Sequence, residues 1–239
     1  MTDRADRRLD RRGFAKTAGI AGLGALAVSQ IGTLRAMAQS KESVADIINI
    51  AATAEALAVT LTGAVIDGAQ NYDGGKGLPP SIVAWVKAIQ AEEQAHYQYL
   101  TKAGAKALTL TFTVPQDLVP ITKDSHALLS FVVSAETVFI GAYIAAAVEF
   151  AQLGQPALAQ VAFQVAGVEC EHRVLANFGM GVTPPNNLGF EQAPFQTVGE
   201  AAAKIKSLGL LGTSNPAATL NYTDFSGKVD PSGVSGLTV

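Results

Sequence analysis

The chain has 239 residues, 49% of them hydrophobic, with a mean hydropathy of +0.25 and a formal net charge of −3. That is apolar material for one ordinary core rather than two. A single cysteine, Cys170, excludes an internal disulfide and any four-cysteine iron or zinc site.

Residues 1–38 read as a twin-arginine export signal. Arg11-Arg12 is followed by Phe14 and Lys16, then a mild Ala/Gly/Leu stretch from Thr17 to Leu34, then Ala36-Met37-Ala38 as an A-x-A cleavage site. The apolar run is shorter than the roughly 20 residues a bilayer span needs and is interrupted at Ser29-Gln30, so the mature protein is not expected to span a membrane. The precursor's expected partner is the twin-arginine export machinery, and its destination is the periplasm or the outside of the cell. Cutting after Ala38 removes seven of the 17 Lys/Arg and three of the 20 acids, leaving a net charge of about −7 and one arginine, Arg173. A basic patch for nucleic acid is therefore excluded.

Ser43 to Gln70 carries Ala, Val, Ile and Leu at helical spacing and stops at the glycine loop Asn71 to Gly77. Pro79-Pro80-Ser81 opens a second helix running to about Ala103-Gly104, with Ser81 as its expected N-cap. Leu108 to Val114 alternates apolar residues with Thr and is followed by Pro115 and Pro120, which predicts an extended crossing, with room for a short strand. Asp124 or Ser125 caps a third helix reaching about Leu153; Gly154-Gln155-Pro156 then reverses the chain into a fourth, ending near Gly179. The pattern predicts an all-α antiparallel four-helix bundle over residues 43–180, with one long crossover between helices 2 and 3. Residues 181–239 read as an irregular, turn-forming extension with a short helix near 198–208, free to wrap the bundle or mediate contacts.

Chemistry enters through six residues. Glu93 and His96 stand three apart and share a helix face, and Glu169 and His172 repeat the spacing on the fourth helix. Helix 1 supplies Glu55 and helix 3 supplies Glu136, each with apolar neighbours three, four and seven places away. Glu55 and Glu93 are equidistant from residue 74 in the glycine loop, and Glu136 and Glu169 straddle the point between Gln152 and Leu153. In an antiparallel hairpin, residues equidistant from the turn lie side by side, so each hairpin brings a lone Glu level with a Glu-x-x-His pair. Four buried carboxylates repel one another and each costs several kcal/mol to bury, so two divalent cations are the natural compensation. A carboxylate-rich site with one imidazole per metal suits iron first, then manganese, with zinc behind. Glu92 lacks a histidine three places on and reads as solvated. His126 reads as a surface or capping residue and Cys170 as a small packed one. Tyr97 and Tyr143 read as aromatic packing, with hydrogen bonding to the metal ligands as the alternative.

At these residues the chain resembles the ferritin-like superfamily, and the signal together with the long extension makes it similar to bacterial and plant desiccation-related ferritin-like proteins. The resemblance implies Glu55, Glu93, His96, Glu136, Glu169 and His172 as ligands, with Glu93 and Glu169 bridging. It departs from the rubrerythrin pattern in lacking rubredoxin-type cysteine pairs. Two functions follow as expectations. One is a redox enzyme acting on O₂ or peroxide, as a ferroxidase or peroxide scavenger with iron, or a catalase-like enzyme with manganese. The other is a structural, stress-protective protein whose metal pair only staples the bundle. A homo-oligomer is compatible with both.

Overall fold

The computed structural model describes residues 42–237, apart from 187, 224, 226 and 233. The expected twin-arginine signal, residues 1–38, lies outside the described residues.

Helix α1 (Val44–Asp67) starts with a reciprocal cap: the Ser43 hydroxyl accepts from Asp46 N–H, and the Asp46 carboxylate accepts from Ser43 N–H. It ends earlier than the apolar pattern predicts. Gly68 N–H bonds to Ala64 and Ile66 carbonyls, and Ala69–Gly74 continues as a 3₁₀ turn. The chain then reverses through Asp73, Gly74, Gly75 and Gly77, all at positive φ, where glycine carries no Cβ penalty. Helix α2 (Pro80–Lys102) is entered from Pro79, not from Ser81, and has no side-chain cap. Pro80 at the first helical position, with φ preset and no N–H to satisfy, does the starting instead.

The crossover holds strand β1 (Thr111–Pro115) and a 3₁₀ turn, Gln116–Thr122. Helix α3 (Ser125–Gln152) is capped by Asp124, whose carboxylate accepts from Ala127 N–H at 2.6 Å. Gly154 (φ +69°) turns the chain into helix α4 (Pro156–Gly179). Helix α1 packs along α2, and α3 along α4. The hairpins are pinned at the glycine-loop end, where the Asp73 carboxylate accepts from Ser125 N–H and Tyr72 donates its hydroxyl to the Ile121 carbonyl.

The C-terminal extension is more ordered than its composition predicts. Helix α5 (Val198–Ser207) lies against α1 and α3, burying Ile205 with Leu57, Phe112 and Phe139. Strand β2 (Pro216–Asn221) pairs antiparallel with β1, Phe112 opposite Leu220. The N-terminus of α5 sits on a buried carboxylate: Val198 N–H donates to Glu149 at 2.8 Å, and Gly199 N–H to Glu42 at 3.0 Å. Anions at a helix N-terminus satisfy unpaired N–H groups and favour the helix dipole. Where residues 194 and 195 cross α3, a Cβ at Gly141 would meet Pro194 at 2.9 Å, so glycine is what lets the extension approach. Arg173 of α4 fixes a further point, its guanidinium donating to both carboxylate oxygens of Glu191.

Candidate metal centre

Each of the four bundle helices delivers its predicted acid to one depth. Glu55, Glu93, Glu136, Glu169 and His172 are buried, and the His96 side chain is 13% exposed. Two donor sets form, in each of which one donor atom per residue lies within 4.8 Å of the others. Glu55, Glu93, His96 and Glu169 make the first; Glu93, Glu136, Glu169 and His172 make the second. Glu93 and Glu169 belong to both.

The imidazoles address the carboxylates through the same atom. His96 Nδ1 is 3.5 Å from Glu55, 3.6 Å from Glu93 and 3.7 Å from Glu169. His172 Nδ1 is 3.0 Å from Glu169, 3.4 Å from Glu93 and 3.6 Å from Glu136. The outer nitrogen of His172 is 2.8 Å from Glu92 Oε2. Glu92 is thus not merely solvated: in the neutral ring it accepts the Nε2–H hydrogen bond and leaves the Nδ1 lone pair facing the cluster, as carboxylate partners of metal-bound histidines do. Tyr143 is also more than packing, because its hydroxyl donates to Glu55 Oε1. Tyr97 does pack, its ring 4.8 Å from that of Tyr222. His126 is exposed beside Ser130, away from both sets. Cys170 is a thiol rather than a reactive thiolate, pushed up to about 11 by partial burial and then by Glu191.

The electrostatics are those of a cluster short of positive charge. Burial, then the Glu93 charge, pushes the Glu55 carboxyl up to about 8. Burial raises Glu136 too, and burial together with Glu93 and Glu136 raises Glu169 well above the usual range. Burial alone would also raise Glu93, but contacts with Glu55, His172 and His96 outweigh it and hold this carboxyl below its ordinary value. Burial opposes charging of both histidines, yet the surrounding carboxylates win and raise them well above the usual imidazole value.

Polar atoms this deep are ordinarily hydrogen-bonded. Here Glu55 Oε2, both Glu93 oxygens, His96 Nδ1, Glu136 Oε2 and Glu169 Oε1 are buried without a hydrogen-bond partner. Oxygen and imidazole donors, orphaned, acidic and aimed at two adjoining points, fit divalent metal ions.

The profile of the ferritin-like domain family matches residues 43–180. The chain belongs to the ferritin-like domain family. Searches of curated proteins and of solved structures each returned no match. In this ferritin-like domain the spacing of the acids and histidines was readable from sequence. Glu92 escaped it because its partner lies 80 positions away on another helix, and for Tyr143, whose partner is 88 positions away, hydrogen bonding to a ligand stood only as the alternative to packing.

Proposed function

We propose that this ferritin-like protein binds a pair of divalent metal ions, iron ahead of manganese and zinc, and turns over O₂ or peroxide as a ferroxidase or peroxide scavenger outside the cytoplasm. The observation that carries the reading is the overlap of the two donor sets at Glu93 and Glu169, with six buried donor atoms lacking partners. Glu55 and His96 would complete one metal position and Glu136 and His172 the other, with Glu93 and Glu169 available to both. When bound, a redox-active pair would supply two electrons to a small oxidant, one from each ion.

The chain's own part is to hold the donors and exclude bulk water. Glu92 fixes the orientation of the His172 ring. Tyr143 holds one oxygen of Glu55 and leaves the other for the cluster; burial and the Glu55 charge keep its own proton in place. Access favours the redox reading over a purely structural one. His96 and Tyr143 line a cavity of about 200 Å3, room for a diatomic or peroxide beside the less buried histidine.

The test is elemental analysis of protein purified from its native host, followed by O₂ and peroxide consumption by the iron-loaded and manganese-loaded chain. Iron content with oxidant consumption supports the proposal. Bound metal that raises Tm without consuming either oxidant would make the pair a staple and the protein a structural, stress-protective one. For export, replacing Arg11 and Arg12 by lysine should retain the precursor in the cytoplasm; unchanged export would remove the twin-arginine assignment.

A further inference from the structure

A second cavity, about 450 Å3, lies on the other flank of the metal centre. Its wall is apolar: Leu61 and Val65 of α1, Ile89 of α2, Val132 and Phe139 of α3, with Leu210 and Leu220 of the extension closing the side. The volume falls within the roughly 300–1,000 Å3 of small-molecule sites, and is about three times that of an engineered apolar cavity large enough to take up benzene.

The two ends differ chemically. Five lining residues are exposed: Asn71, Thr122 and Lys123 mark a polar mouth beside the glycine loop, and Ala64 and Ala218 are apolar. Glu93 and Glu136 reach the wall toward the opposite end. From the level of Leu128 to that of Glu136 is eight residues of helix, roughly 12 Å at about 1.5 Å per residue. Backbone geometry spaces Cα atoms about 3.8 Å apart over three bonds, so 12 Å takes roughly ten carbons of an extended chain.

Hydrogen-bond donors set the direction. Glu93 and Glu136 at the inner end belong to the donor sets of the metal centre and offer an acceptor head no hydrogen bond. The mouth carries Lys123 as a donor, and the nearby Asp73 and Asp124 carboxylates accept from the backbone N–H groups of Ser125 and Ala127. Trp85 also lines the cavity toward the mouth, and its indole Nε1 is buried with no hydrogen-bond partner, a donor awaiting an acceptor.

From these features we propose that the cavity is a binding site for a medium-chain fatty acid, its carboxylate at Lys123 and Trp85 and its tail running inward to the Glu93–Glu136 wall. The inference goes beyond the metal reading and is measured without turnover. Trp85 is the chain's one tryptophan, so its emission reports occupancy.

The experiment titrates the metal-loaded mature protein with decanoate and with decanol, following Trp85 emission and binding heat. Saturable decanoate binding at one per chain is expected, with the negative heat-capacity change of apolar burial. Lys123→Glu should weaken decanoate about fivefold, the upper range for one exposed charge pair, and leave decanol unaltered. Ala58→Phe, which fills the inner cavity, should abolish binding of both while metal content stays the same. Lys123→Glu is a surface change, so it remains decisive should Ala58→Phe fail to fold. No saturable change in Trp85 emission, equal weakening of acid and alcohol by Lys123→Glu, or undiminished binding to folded Ala58→Phe would each overturn the proposal.

Discussion

The two halves of the metal cluster use the same ligand types and differ in how firmly those ligands are held. The His172 half is sealed: its histidine side chain is 2% exposed and gripped from outside by Glu92. The His96 half is looser toward solvent, with a histidine 13% exposed on a cavity wall, while its carboxylate Glu55 is tied by Tyr143. A repeated Glu-x-x-His motif therefore does not make equivalent positions. One position is enclosed, and the other opens on a cavity.

The largest effect belongs to what the halves share. Glu93→Ala or Glu169→Ala should strip both positions of metal by elemental analysis; a variant retaining half of its metal would show that no carboxylate is common to the two. Next come the histidines, separated by stepwise chelation. His96→Ala should remove the ion that leaves first and His172→Ala the one that leaves last, and the opposite assignment would break the comparison. Glu92→Ala should weaken the retained ion by about 10–100-fold, the usual cost of losing a histidine's outer partner, and bring the two release phases together. Release that stays biphasic would return Glu92 to ordinary surface. The smallest effect is that of Tyr143→Phe, which deletes one hydrogen bond worth about 1 kcal/mol. A fall in Tm of about 2–4 °C with metal content unchanged is expected for a domain of this size; lost metal would give Tyr143 a heavier role.

The bundle was legible because its signals are local: apolar residues at helical spacing, Asp124 as a cap, proline and glycine at the turns. The coincidence of Glu55 with Glu93, and of Glu136 with Glu169, followed from counting outward from those turns. What stayed hidden depends on distant partners. Nothing in Pro216–Asn221 announces a strand, since its mate Thr111–Pro115 lies about a hundred positions earlier. Glu149 reads as one more acid near a helix end, and only the docked α5 shows it as an anchor. Hydropathy alone misleads too. Helix α1 with its following turn, and helix α3, are each long and apolar enough to cross a bilayer, yet 61% and 50% of those windows are buried in the fold, and each helix carries a buried acid of the donor cluster.

The pairing of β1 with β2 imposes an order of assembly. Translation at about 5–20 residues per second puts roughly 5–20 s between the synthesis of Pro115 and that of Pro216. Helices α1 and α2 already exist and α3 and α4 are made during that interval, while the flank beside Phe112 still lacks its cover. The donor cluster can thus form before closure, and the last-made segment acts as a door shut behind a finished interior.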